Sequence, residues 1–119
     1  MQSERQLRYW YGKYNARFFN NTLPTTIEVY WEPPLGAAYG ETVPEYEVLP
    51  CRRLQKIDDH FVLRLNPALR GWGSVWKMTL LHEMAHISLW ESNPRHQHGK
   101  VFQEEMMRLA REGAFTKLW

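Results

Sequence analysis

The stretch Ser74-Val75-Trp76-Lys77-Met78-Thr79-Leu80-Leu81-His82-Glu83-Met84-Ala85-His86-Ile87-Ser88-Leu89-Trp90 decides the reading of this chain. Val75, Met78, Leu80, Leu81, Met84, Ala85, Ile87 and Leu89 make it apolar nearly all round. Such a segment predicts a core helix, with Ser74 as its N-cap, running to about Trp90. At about 100° per residue, His82 and His86 fall one turn apart on one face. Two imidazoles so placed reach a single Zn²⁺ without disturbing the backbone. Glu83 sits beside them, poorly aimed as a ligand but placed to act on a metal-bound water. Two histidines and a glutamate inside an apolar helix are costly unless something pairs them, and a metal does so.

A catalytic zinc site needs a third protein ligand and an open position. Leu89 and Ser92 stand where the metzincin pattern requires Gly and His, so that subclass is excluded. His96, His98, Glu104 and Glu105 remain. A last helix is expected from Lys100 to Glu112, and on it His98, Phe102, Glu105, Met106 and Leu109 share the inward face while Glu104 points away. His98 leads as third ligand and Glu105 follows; His96 reads as a loop or entrance residue.

Upstream, Leu7, Tyr11, Tyr14 and Phe18 recur at helical spacing, and Asn20-Asn21 with Leu23-Pro24 marks a stop. Thr26 to Trp31 is rich in β-branched and aromatic residues and predicts a strand ended by Pro33-Pro34. A weaker strand is expected over Gly36–Glu41. The segment from Thr42 to Leu54 carries Pro44 and Pro50 and reads as irregular, or an edge strand at best. His60 to Leu65 is the clearest strand, closed by Asn66-Pro67. A helix, three or four strands and two helices make an α+β domain with an antiparallel or mixed sheet.

The 119 residues suit one compact domain, expected to act as a monomer. With six Trp a packed core is within reach, and the one cysteine, Cys51, excludes an internal disulfide or a Cys-pair zinc knuckle. The polar start, Met1-Gln2-Ser3-Glu4-Arg5-Gln6, carries no signal-peptide pattern, and no apolar run nears the ~18 residues of a membrane span. A reducing, cytoplasmic setting is expected. The net charge of +2, with small clusters such as Arg52-Arg53-Lys56, permits weak DNA association without demanding it.

These pieces together resemble the SprT-like family of zinc metallopeptidases. The shared segments are Tyr14-Asn15 with Phe18-Phe19 and Leu23-Pro24, Gly36 to Gly40, Leu63-Arg64-Leu65-Asn66-Pro67 with Leu69, Leu81-His82-Glu83-Met84-Ala85-His86, and His98-Gly99 with Phe102. The ligand helix followed by His-Gly-x-x-Phe is the specific part. The resemblance implies a minimal zincin fold over residues 1–119, with His82, His86 and His98 as zinc ligands and Glu83 as general base. It implies a protein or peptide substrate, laid along an edge strand for which Gly36–Glu41 is the candidate. Tyr39 could assist at the oxyanion but reads more simply as a rim or core tyrosine. Trp72, Trp76 and Trp90 read as core or cleft wall. Many relatives add a Cys-rich zinc ribbon, and some eukaryotic ones add DNA-binding parts with which they degrade proteins crosslinked to DNA; this sequence shows neither, so the DNA-repair role is expected to transfer poorly. Two rival expectations are a DNA-associated module with little peptidase activity and a structural zinc domain closed by His82, His86, His98 and Glu105.

Overall fold

The computed structural model describes residues 2–25, 27–33, 39–48, 50–52, 54–90 and 98–115. Its elements in chain order are helix α1 (Gln2–Phe18), strands β1 (Glu28–Trp31), β2 (Gly40–Val48) and β3 (Leu54–Leu65), a 3-10 turn (Pro67–Leu69), and helices α2 (Gly73–Ser88) and α3 (Lys100–Arg111). This is a small α+β domain.

The sheet is mixed, in the order β1-β3-β2. β1 runs parallel to β3, with Val29 opposite Leu63 and Trp31 opposite Leu65. β2 pairs antiparallel with β3, with Gly40 opposite Leu65 and Thr42 opposite Leu63. Side chains alternate across a pleated strand, so Val29, Trp31, Phe61, Leu63 and Leu65 all bury on one face. The other face carries Arg64, which bonds Glu32 at 3.1 Å and Glu41 at 3.3 Å.

α1 packs on β1 through Leu7, Tyr11, Tyr14 and Phe18, all buried as their spacing predicts. It stops at Phe18 because Asn20 and Asn21 turn left-handed, with φ of 53° and 58°, a region asparagine tolerates better than most residues. Buried Asn15 closes this turn: its amide donates to the Leu23 carbonyl at 3.2 Å and its Oδ1 accepts from the Leu23 N–H at 3.1 Å. The Tyr11 hydroxyl donates to the Pro24 carbonyl at 2.6 Å.

α2 packs against β2 and β3 and also touches α1 and α3, which is why it is apolar all round. Leu80, Leu81, Met84 and Ala85 are fully buried. Its start differs from the sequence expectation. The helix begins at Gly73 with Trp72 in the cap position, and no side chain caps it, so Ser74 lies inside the first turn.

In the hairpin, β2 meets the edge-strand alternative, and it is longer and more regular than expected. Thr42 onward is part of a nine-residue strand, and β3 begins at Leu54, six residues before His60. Pro44 is tolerated because β2 is an edge strand and because the register shifts between Pro44 and Tyr46, where a missing N–H costs no ladder bond. The expected strand over Gly36–Glu41 is found only from Gly40 on; residues 34–38 and His96 lie outside the described residues. No helix among the described residues is long and apolar enough to cross a membrane.

Gly40 is where β2 meets α2. A Cβ there would lie 3.0 Å from the Arg64 carbonyl, from Leu65 Cδ2 and from Thr79 Cγ2. Gly40→Ala must therefore push strand and helix apart, at an expected cost of about 1–3 kcal/mol. A urea titration of the two proteins would measure it, and equal midpoints would contradict the close packing.

Candidate metal centre

His82 and His86 project from one face of α2, as their spacing requires. His98 comes from elsewhere. It lies two residues before α3, in the turn whose Gly99 takes the N-cap position, and the Gln103 side chain donates to its carbonyl at 3.3 Å. The third imidazole is thus carried by the turn leading into α3 and not by the helix proper.

The three Nε2 atoms converge. They are 3.2 Å apart for His82 and His86, 3.1 Å for His86 and His98, and 3.3 Å for His82 and His98. Among the described residues these three form the group able to hold a metal ion. Nitrogens so close together could all bind one small metal ion. Burial of His82 and His86 lowers the pKa of both, with the neighbouring imidazoles adding to the effect, and His86 falls to about 4. Both are therefore neutral at physiological pH, the form that binds a metal.

Phe102 packs against this cluster. Its ring stacks on His86 at 4.4 Å between centroids and meets His82 and His98 edge-on at 4.9 and 5.2 Å. Phe102 is buried on the inward face of α3, so the helix docks its aromatic against all three imidazole rings. This gives a physical meaning to the spacing from His98 to Phe102.

Glu83 is 5% exposed. Its Oε1 accepts a hydrogen bond of 2.8 Å from the Thr42 hydroxyl on β2. Burial pushes its carboxyl up to about 7, opposed by the Thr42 hydrogen bond and aided by the charge of Glu41. Thr42 is a partner that no local pattern signals, since it stands 41 positions from Glu83. Glu105 is drawn elsewhere. Its carboxylate accepts from Arg108 at 2.7 and 2.9 Å and from the Ser88 hydroxyl at 3.2 Å.

The three imidazoles, Glu83 and Thr42 open onto one cleft of about 1040 Å³, between α2 and the start of β2. Tyr39 and Trp72 stand exposed at its rim, Trp90 forms a half-buried wall, and Trp76 is core.

The SprT-like family model matches residues 7–117. The chain belongs to the SprT-like family. The match takes in α1 from Leu7 on, every later element of the fold, and all four residues His82, Glu83, His86 and His98. No curated protein matches this SprT-like sequence.

Proposed function

We propose that this SprT-like domain is a zinc-dependent metalloendopeptidase. The observation that carries the reading is the placement of a buried carboxylate, Glu83, in the same cleft as three converging imidazoles. Three histidines are a donor set of catalytic zinc sites, leaving a fourth position open. Among the described residues Glu105, the candidate fourth ligand of a closed structural site, is already engaged by Arg108. A zinc ion held by His82, His86 and His98 would act as Lewis acid toward the attacking water and the scissile carbonyl.

The chain's own residues do the rest. Glu83 takes the proton from the attacking water and returns it to the leaving amine, and burial, which raises its carboxyl pKa, makes it a stronger base than an exposed glutamate. The outer side of β2 has no strand partner among the described residues, and an extended peptide can pair with it along Gly40–Val43. Zinc content of the purified chain, with cleavage of an unfolded protein that stops on chelation and returns with zinc, tests the reading. A chain that binds no zinc would refute it.

Thr42 holds Glu83 in place, acting through that residue and not on substrate. Thr42→Val keeps the shape and removes the hydrogen bond; kcat is expected to fall about tenfold, in line with one lost hydrogen bond to a charged group, with KM little changed. Thr42→Ser should restore most of it. A Val variant with unaltered kcat would remove Thr42 from the machinery.

A further inference from the structure

On the peptidase reading above, we infer that the cleft selects extended polypeptide carrying bulky apolar side chains on both sides of the bond presented to Glu83. The inference starts from one helix face. Val75, Met78, His82, Glu83, His86 and Trp90 all line the cleft at spacings of one, three or four residues. From Val75 to Trp90 this face is roughly 22 Å long at 1.5 Å per residue, room for about six or seven residues of extended peptide. The ligand pair sits near its middle, so apolar surface lies on either side of the reacting bond.

The two ends differ. Toward the N-terminus of α2 there is an open shelf, with Tyr39 60%, Trp72 59% and Met78 38% exposed. Large apolar side chains left in water around a cleft mark a binding surface. Beyond His86 lies a half-buried pocket of Trp90, Met106 and Phe115, packed against the core. The Trp90 ring is fixed edge-on by Phe61, with centroids 5.4 Å apart, so this wall is preformed. Met78 and Met106, one at each end, can adapt to different side-chain shapes.

Charge narrows the class further. No Lys or Arg is among the described lining residues, and Glu41, the second lining carboxylate, is tied to Arg64 at 3.3 Å. An acidic side chain would find no lysine or arginine among those described residues. Sequence segments with large apolar residues are those a folded protein buries. The substrate class is therefore unfolded or locally unfolded polypeptide, cut within its core-forming segments.

The test uses internally quenched peptides, identical except at the two residues flanking the scissile bond, which are Phe, Ala or Asp. With the zinc-loaded chain, kcat/KM for the Phe peptide is expected at least about tenfold above the Ala peptide, with Asp slowest. Met78→Ser and Met106→Ser, each verified as folded by circular dichroism, should narrow the Phe-to-Ala ratio. Equal rates for Phe and Ala, fastest cleavage of Asp, or a ratio unmoved in both variants would overturn the inference and leave the peptidase reading standing. Binding supplies a separate readout: fluorescence anisotropy of labelled peptides with the zinc-loaded Glu83→Gln protein. If the parent chain cleaves nothing while this variant binds the Phe peptide more tightly than Ala, the peptidase reading falls and the apolar cleft stands. Equal binding of all three peptides overturns the inference.

Discussion

Glu83→Gln is expected to reduce kcat about 10²- to 10⁴-fold while zinc binding by the three histidines is retained. The amide is isosteric, and its oxygen can still accept from Thr42, so the loss isolates proton transfer. Retained hydrolysis in this variant would remove Glu83 as the base. The same substitution is expected to stabilise the metal-free protein at alkaline pH. The carboxyl rises from an ordinary value of 4.5 to about 7 in the folded chain, chiefly through burial. A raised folded-state pKa means the native state holds the proton more tightly than the unfolded state. Its contribution is then complete below about pH 4.5 and is lost as pH climbs through 7. Gln has no proton to lose. Between pH 5 and pH 8 the variant should therefore gain on the parent by up to roughly 3 kcal/mol, at 1.36 kcal/mol per pKa unit. Urea melts of both metal-free proteins at the two pH values measure this, and a pH-independent difference would contradict the buried carboxyl. A residue whose removal stabilises the fold and ends activity is held there for function.

His86→Ala is the second large effect. His86 is buried, its Nε2 lies closest to both other ligand nitrogens, and it carries the stack on Phe102. Zinc affinity is expected to fall by more than the 10- to 100-fold typical of lost outer-shell partners. Thermal melts report it directly. Zinc at 100 times its Kd adds about 2.7 kcal/mol to the parent chain, a rise in Tm on the order of 10 °C for a domain of this size. That rise should vanish in His86→Ala and on chelation of the parent. A variant still stabilised by zinc to the same degree would show that the ion sits elsewhere.

Local regularity made part of this architecture readable in advance. The buried faces of α1 and α2 follow from side-chain spacing alone, and so does the alternation along Phe61, Leu63 and Leu65. The hairpin resisted because proline punishes a strand only where its N–H is needed, and an edge position with a register shift removes that need at Pro44. The start of α2 resisted for a related reason. Serine's preference for the cap is worth little beside the packing of Trp76, Leu80 and Met84, which sets where the helix lies.

The candidate site divides along the same line. The sequence by itself determined that His82 and His86 share a helix face with Glu83 beside them, because a turn of helix repeats every 3.6 residues wherever it stands. It offered several partners for that pair, His98 and Glu105 foremost. Only the tertiary structure brought His98 to 3.1 Å from His86, sent Glu105 to Arg108, and set Thr42 against Glu83. Those pairings depend on how α3 and β2 dock on α2, through Phe102 on one side and the bare Gly40 on the other. Docking is decided by packing between residues far apart in the chain, and no local period records it.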